Sequence, residues 1–338
     1  PTRGDNHIYA PGSHTAYNES TLSSILYYTN YRDGAGGAYW GPAHETGHNN
    51  QYLITFPGGT EVSNNMFSNI VVYSGGKGTS RGVGVRDGVC KDFGKSWFDR
   101  DIWQQTRMYY QLYLYFYELG KDKDYIPNLY KALRADPMVN HNSSTVSGQD
   151  SWLKFALKCC QIANADLSEF FESYGFFVPV SNRLVEDYSN SYVTMTERTA
   201  QQYREKMQAF EKKLGNLVFV EDRIYAAYGR EPWGSPDKLR IDYSSEWPLG
   251  KMGDVGQYLD YEDETLVPSG YTYTRKGLKI TINHAEGKGA VGFKVYNADG
   301  TLVAISNTYT FNLPQTMDGQ KIKVVAAAPV GNNDAEIL

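Results

Sequence analysis

The spacing of apolar residues changes along the chain from the period of a helix to the period of a strand. Between about residues 44 and 215, apolar side chains recur every three to four positions, which predicts a mainly helical region. Leu112, Phe116 and Leu119 share one face in this way. Gly120 follows at the position where such a helix should end. The first 45 residues are rich in Gly, Tyr, Asn and His and predict short strands and loops.

Four further helices are predicted from the same spacing. Glycines follow the last two of them, at Gly175 and Gly215, where they commonly end a helix. The predicted segments are Ile126 to Leu133, Trp152 to Ile162, Asp166 to Tyr174 and Thr196 to Leu214.

The chain beyond residue 217 predicts strands. Ile280 and Ile282 alternate with polar residues, as expected for a strand with one buried face. A turn sequence, Asn-Ala-Asp-Gly at 297–300, separates two such runs and predicts a hairpin. The segment 229–268 is rich in Gly, Pro and Asp, which predicts an irregular segment that either links the strand region to the helices or packs on its surface.

This change of period divides the chain into two predicted domains. A mainly helical domain covers residues 1–216, and a small all-β, sandwich-like module with its linker covers 217–338. A chain with segregated helices and strands belongs to the α+β class.

Composition excludes several classes of protein. Hydrophobic residues make up 41% and charged residues 21%, as in a folded globular protein. The net charge of −5 provides no basic field, so no nucleic-acid partner is expected. No apolar run reaches the roughly 20 residues of a membrane span. Three cysteines, Cys90, Cys159 and Cys160, are too few for a disulfide framework and are interpreted as structural.

The motif H-E-x-x-H occurs once, at His44, Glu45 and His48. Gly41 and Pro42 precede it, and proline suits the first turn of a helix, so a helix is predicted to start just after Gly41. Two histidines one helical turn apart share a face and can bind one zinc ion. Glu45 projects at a different angle, so its carboxylate can reach a zinc-bound water and accept its proton.

A catalytic zinc site needs a third protein ligand and an open position. Glu61 is the preferred candidate because it begins a second predicted helix. The pair Gly58 and Gly59 permits the reversal that would bring this helix back against the first. Asp87 and Asp92 remain alternatives.

Several other residues are candidates for supporting roles. Asp150 could bond the second nitrogen of a ligand histidine, or it could simply cap a helix. His14 could stabilise an oxyanion or line the cleft, and Trp40 and Gln51 are expected near the metal. Ordinary packing or capping explains each of them at least as well, and for Asp150 capping is the preferred interpretation. Gly47 lies inside the helix at a cost in propensity, which indicates close packing.

The residues around the motif resemble a known family. The segment 44–51 reads H-E-T-G-H-N-N-Q and 61–68 reads E-V-S-N-N-M-F-S. Both are similar to the enhancin-like M60 peptidases, which carry H-E-x-G-H followed by a glutamate ligand. Residues 8–15 and 168–176 resemble further segments of that family, so the likeness covers about residues 1–180.

The resemblance implies a secreted or cell-surface zinc metallopeptidase of the gluzincin type, acting on mucin-like, O-glycosylated host glycoproteins. It implies that His44, His48 and Glu61 hold the metal and that Glu45 is the general base. Family members have more sheet before the active-site helix than the 43 residues found here. We therefore expect that an N-terminal portion of the catalytic domain is missing.

A second hypothesis is a non-catalytic glycoprotein-binding or adhesion module with a vestigial metal site. The 28 tyrosines favour it, because aromatic rings with polar tips suit surfaces that contact sugars and peptides, although they also suit the edge of a core. The intact Glu45 favours the enzyme, because a structural zinc has no need of that carboxylate. Nickel or cobalt could occupy the same ligands.

Overall fold

A computed structural model describes most of the chain as a helical part followed by antiparallel sheets, so the predicted α+β class is confirmed. Among the described helices, none is long and apolar enough to cross a membrane. The described residues are 8–9, 15–17, 37–51, 54–74, 88–137, 150–187, 189–220 and 265–338.

The helical part contains the predicted helices. Those expected from Ile102, Ile126, Trp152 and Asp166 are present, with their ends displaced by no more than two residues. Helix α4 continues as a π-helical turn, Leu114–Glu118. The helices are α1 (Gly37–Gln51), α2 (Thr60–Ser74), α3 (Gly88–Lys91), α4 (Ile102–Tyr113), α5 (Tyr125–Ala135), α6 (Ser151–Ala163), α7 (Ser168–Ser173) and α8 (Glu197–Gln208).

Helix α8 ends earlier than the sequence pattern predicts. It begins after Thr196, whose hydroxyl caps the first turn, but it stops at Gln208 rather than Leu214. Backbone groups of the next segment bond elsewhere: the Asp166 N–H donates to the Lys212 carbonyl and the Leu214 N–H to the Asp166 carbonyl. These tertiary bonds replace the helical ones, and a 3-10 turn, Gly215–Phe219, follows.

Two antiparallel hairpins belong to the helical part, one before its first described helix and one between α7 and α8. Strands β1 (Ile8–Tyr9) and β2 (Ala16–Tyr17) form the first, as expected for the N-terminal segment. Strands β3 (Val180–Asp187) and β4 (Ser189–Met195) form the second. The second hairpin lies inside the region predicted to be mainly helical, where it was not predicted.

The C-terminal strands form two antiparallel sheets, ordered β5-β6-β9 and β11-β10-β7-β8. Ile280 and Ile282 of the first sheet share a buried core with Phe293, Val295 and Val324 of the second, so the predicted sandwich-like module is present. The strands are β5 (Thr272–Lys276), β6 (Lys279–Asn283), β7 (Gly292–Asn297), β8 (Leu302–Ser306), β9 (Thr310–Asn312), β10 (Ile322–Ala327) and β11 (Ala335–Ile337).

Much of the tyrosine content is in the helical core. Tyr109, Tyr110, Tyr115, Tyr125 and Tyr174 are all buried. Their burial shows that the aromatic composition serves packing as well as any surface role. Cys159 and Cys160 form no disulfide, and their thiols are buried in the same core. Burial raises the pKa of Cys160 to about 12, as expected for an inert structural cysteine.

A buried ion cluster joins the sheet module to the helical part. The Lys294 ammonium lies 2.8 Å from a Glu169 oxygen on α7 and also contacts Asp334. Tyr296 donates a hydrogen bond of 2.7 Å to the same Glu169 carboxylate. Burial acts to lower the pKa of Lys294, but the two carboxylates raise it and the net shift is upward. The predicted boundary between residues 216 and 217 falls inside the buried 3-10 turn and stays a prediction.

Helices α1 and α2 pack side by side in opposite directions. Trp40, near the start of α1, contacts Asn69, near the end of α2, whereas Gln51 at the end of α1 contacts Thr60 at the start of α2. The two helices are therefore antiparallel. Between these ends, a β-carbon added at Gly47 would lie 2.8 Å from the Asn64 β-carbon, closer than real side chains approach. The role of Gly47 in close packing is therefore confirmed.

We predict that Lys294→Met lowers the free energy of unfolding by about 3 kcal/mol. This is the lower end of the range for breaking a buried ion pair, because Glu169 is partly exposed. Lys323→Met is the control: its ion pair with Glu336 is 52% exposed on both sides and should contribute under about 1 kcal/mol. Urea unfolding measures both, and equal effects would contradict the prediction.

We also predict that Gly47→Ala destabilises the protein by up to about 2 kcal/mol. Alanine gains up to about 1 kcal/mol in helix propensity, but overpacking costs about 1–3 kcal/mol. Asn50→Ala, on the exposed face of α1, is the control and should be neutral or stabilising. Thermal unfolding of the two variants tests the difference. A Gly47→Ala protein as stable as Asn50→Ala would show that the two helices accommodate the added methyl group at no cost, which contradicts the prediction.

Candidate metal centre

Helix α1 presents both histidines of the H-E-x-x-H motif on the face that packs against α2. The helix begins at Gly37, earlier than the predicted start after Gly41, so Pro42 lies inside it. The earlier start places Trp40 one helical turn before His44. The two rings stack, with centroids 4.8 Å apart and planes 22° apart. The extra turn therefore supports the ring of His44.

Helix α2 is held at its start by a tight reversal. Gly58 adopts a φ of 81°, a conformation that favours glycine. The Asp187 carboxylate, at the end of β3, accepts hydrogen bonds from the N–H groups of Gly58 (2.8 Å) and Thr60 (3.1 Å). A carboxylate at this position satisfies unpaired donors of the helix N-terminus. It fixes the start of α2 one residue before Glu61.

His44, His48 and Glu61 converge on one point. The Nε2 atom of His44 lies 3.0 Å from Oε2 of Glu61, and Nε2 of His48 lies 3.6 Å from Oε1. Ligand atoms of all three residues fall within 4.8 Å of one another. The imidazoles are nearly buried, whereas the Glu61 side chain is 43% exposed, so one side of the cluster faces solvent.

Two asparagines of α2 contact the histidines, Asn65 on the side of His44 away from Glu61 and Asn64 at the Nε2 atom of His48 that faces Glu61. The Nδ1 atom of His44 lies 2.9 Å from Oδ1 of Asn65. The Asn64 amide donates to Nε2 of His48 at 2.9 Å and to the His44 carbonyl at 3.2 Å. Burial lowers the pKa of His48, and the Glu61 carboxylate opposes that shift. The neutral form of His48, which is the form that binds metals, is thereby favoured.

Glu45 lies beside the cluster without belonging to it. Its side chain is buried, and no described residue donates a hydrogen bond to its Oε2 atom. Burial raises the pKa of Glu45, while His44 lowers it and Glu61 adds to the increase. A buried carboxylate oxygen without a donor is costly unless water or a ligand provides one. Glu45 therefore has an oxygen available to a molecule that enters the site.

The remaining candidate residues are distributed differently. Trp40 and Gln51 adjoin the cluster; Gln51 donates to the Thr60 carbonyl at 2.6 Å. Asp92 lies elsewhere, bonded to Lys95 and Gln104. His14 and Asp87 are outside the described residues.

Asp150 does not make the predicted contact with a histidine of the cluster. Within the described chain its carboxylate accepts a hydrogen bond from Tyr203 at 2.9 Å and pairs with Lys154 at 3.0 Å. It occupies the N-cap position of α6, but its side chain does not cap the helix. Neither the histidine contact nor the helix cap considered for Asp150 is formed among the described residues, because Tyr203 of α8, distant in sequence, bonds the same carboxylate.

Sequence reasoning missed Asn65 and Asp187. Asn65 follows Glu61 by four positions, which places both on one face of α2, so the helical spacing was a usable signal. Asp187 carried no such signal. Its hairpin was not predicted, and 127 residues separate it from Thr60.

Comparison with known proteins agrees with this geometry. Residues 4–175, just over half of the chain, match the family described as Peptidase M60, enhancin and enhancin-like. Residues 270–332 match the Peptidase M60 C-terminal domain. No curated protein matches the sequence at a significant level.

Two solved structures resemble the chain over nearly its whole length. A metallopeptidase from Bacteroides thetaiotaomicron is 27% identical with a TM-score of 0.75, over 99% of this chain and 54% of that one. A metallopeptidase in complex with Tn antigen is 26% identical with a TM-score of 0.76, over 98% and 60%. The chain thus spans little more than half the length of these relatives. Both of its matched regions and its fold lead to one assignment: the chain belongs to the M60 peptidase family, enhancin and enhancin-like.

Proposed function

We propose that the protein is a zinc-dependent endopeptidase that cleaves peptide bonds in mucin-like, O-glycosylated proteins. One observation carries this proposal. Two imidazoles and a carboxylate converge on a point open to solvent, and a second carboxylate, Glu45, lies beside them with a buried oxygen that no described residue satisfies. That combination suits metal-assisted hydrolysis.

The donor set fits a zinc ion. Ligands bonded at about 2.0–2.1 Å in a tetrahedron lie about 3.3 Å from one another. The distances of 3.0 and 3.6 Å join the two histidines to different oxygens of Glu61 and are of that order. All the ligand atoms lie within 4.8 Å of one another, so only a small contraction of the cluster would be needed to hold the ion. Two nitrogens and one oxygen leave a fourth position for water or substrate on the exposed side. The same donors also accept nickel or cobalt.

The chemistry divides between the metal and Glu45. A bound cation would polarise the scissile carbonyl and lower the pKa of water in the site toward neutrality. Glu45 accepts a proton from the attacking water and delivers it to the leaving amine nitrogen. Its burial suits this role, because a carboxylate whose pKa is raised is a stronger base. His44, His48 and Glu61 would hold the cation beside Glu45.

Glycoprotein substrates are supported by similarity alone. One of the similar structures is a metallopeptidase in complex with Tn antigen. We extend that ligand class to this chain, and with it a place of action outside the cell, where mucin-like host glycoproteins occur.

The catalytic machinery is assigned to residues 1–216, and the module at 217–338 acts as a rigid support. The support role rests on the buried cluster of Lys294, Glu169 and Asp334, which ties the module to α7. A substrate-binding role for the module is the alternative.

We predict that Glu45→Gln abolishes cleavage of a mucin while the zinc content stays at the wild-type level. The amide keeps the shape of the side chain but cannot accept the proton, so catalysis should fall by at least about 100-fold. Glu186→Gln makes the same chemical change on the exposed face of β3 and is the matched control. Fragments are quantified by mass spectrometry, and bound metal by atomic emission.

Two outcomes would reject the proposal. Equal cleavage by wild type and Glu45→Gln would show that Glu45 is not the base, and failure of both proteins to retain zinc would remove the metal centre. Zinc and mucin binding without any cleavage would instead favour the adhesion hypothesis.

We predict that the wild-type protein cleaves a synthetic peptide carrying the Tn antigen faster than the same peptide without the sugar. The reason is that the glycan adds binding energy beyond that of the backbone. The ratio of kcat/KM for the two peptides measures the preference. A ratio of one would show that the peptidase does not recognise the glycan, which contradicts the prediction.

A further inference from the structure

A cavity of about 840 Å³ lies where the sheet module meets the helical part. Its walls come from both: α7 and the segment after α8 on one side, and β7, β10 and β11 on the other. None of the residues of the candidate metal centre lines it. Cavities that bind small molecules have volumes of about 300–1,000 Å³ and often lie at junctions of this kind. The junction therefore has room for a ligand that the metal centre does not use.

The buried part of the lining consists of polar groups that hydrogen bonds hold in place. Lys294 is 4% exposed, and its ammonium group pairs with Glu169 and Asp334. Tyr296 donates to the other oxygen of Glu169. Within the described structure each oxygen of Glu169 thus holds one hydrogen bond, and a carboxylate oxygen can accept two. Acceptor positions remain on a carboxylate that cannot turn away from the cavity without breaking these bonds.

Hydrogen-bond donors are available at the edge of the same cavity. The Oδ1 atom of Asn332 accepts the backbone N–H of Lys213 at 2.8 Å, so the amide oxygen must face that N–H. The NH2 group of Asn332 makes no hydrogen bond with a described residue. Lys321 is exposed, and its ammonium group forms no ion pair within the described part of the chain. The lining therefore offers donors and acceptors side by side.

The charges around the cavity do not favour an ionic ligand. Four lysines and four acidic residues line it, so their formal charges cancel. A lining without a dominant sign of charge attracts neither anions nor cations strongly. Hydroxyl groups both donate and accept hydrogen bonds, so a ligand rich in hydroxyls suits a mixed lining. The Tyr296 ring supplies an aromatic surface with a polar tip, which suits contact with the C–H groups of a sugar ring.

We propose that this cavity is a binding site for a neutral saccharide, separate from the candidate metal centre. Glu169 accepts hydrogen bonds from the sugar hydroxyls, Asn332 and Lys321 donate to its oxygens, and Tyr296 packs against its ring. The site gives the sheet module a recognition role in addition to support. The use of a mucin-type sugar as the first probe rests on the proposed function, whereas the polar lining does not.

The experiment blocks the cavity and removes one donor from it. Ala298 lies in the exposed turn that lines the cavity, so Ala298→Phe places a ring at its opening. Ala285→Phe is the matched control, because Ala285 is exposed in another turn of the same module and does not line the cavity. Asn332→Asp keeps the oxygen that accepts from Lys213 and replaces the NH2 donor by a second acceptor.

Saccharide binding is measured on the full chain by ligand-observed NMR titration. The probes are N-acetylgalactosamine, galactose and, as an anionic comparison, N-acetylneuraminic acid. We expect the wild type and Ala285→Phe to bind a neutral sugar and Ala298→Phe to lose that binding. Asn332→Asp should weaken it by about two- to tenfold, the effect of one lost hydrogen bond. Thermal unfolding checks that each variant is folded.

The outcomes separate this inference from the proposed function. Absence of binding of all three sugars by the wild type, or binding of the anionic sugar alone, rejects the saccharide site. Unchanged binding in both Ala298→Phe and Asn332→Asp rejects its location. Cleavage of the Tn peptide is measured in parallel and should be equal in wild type and Ala298→Phe. Cleavage without sugar binding in the cavity leaves the proposed function standing, and sugar binding lost in Ala298→Phe supports the site even if no protein cleaves.

Discussion

The close packing of α1 against α2 is the constraint on which the candidate metal centre depends. At Gly47 the helices approach so nearly that a single added methyl group would meet Asn64. That approach brings the face of α1 with the two histidines within reach of Glu61 on α2. A wider separation would leave two imidazoles and a carboxylate on separate surfaces, since a zinc ion spans only about 2 Å to each ligand. The convergence of these three side chains is therefore a consequence of a backbone distance.

Other residues of the helical part fix the positions of α1 and α2 relative to each other. Asp187 fixes the start of α2 by binding its free N–H groups, and Trp40 supports His44 from the preceding turn of α1. Thr106 on α4 adds a contact from behind through Asn65. Each of these groups restricts one degree of freedom of the cluster: the start of a helix, the face of a ring or the rotation of an amide. A site assembled in this way loses little conformational entropy when a ligand binds.

Buried ion pairs and apolar contacts both join the C-terminal sandwich to the helical part. Lys294 is almost completely withdrawn from water, and that is tolerable only because Glu169 and Asp334 surround it. Leu302 and Ile305 of the same module pack into the helical core. A buried charge satisfied from both sides selects one relative placement, because any other leaves it unpaired. The module thus forms a continuous body with α7 in the described structure.

The sequence by itself predicted most of the helices and the C-terminal strands from the spacing of apolar residues, and it named as candidate metal ligands the three residues that the structure brings together, His44, His48 and Glu61. Those inferences succeed because helical spacing and motif spacing are local properties of the chain. Only the tertiary structure decided where α8 ends, that a hairpin interrupts the helices, and which groups support the site. Asp150 shows the difference: its partner is Tyr203, 53 residues away, and the contact with a histidine is formed by Asn65 instead. Polar side chains have several possible partners, and the choice among them depends on distances between segments that no local pattern records.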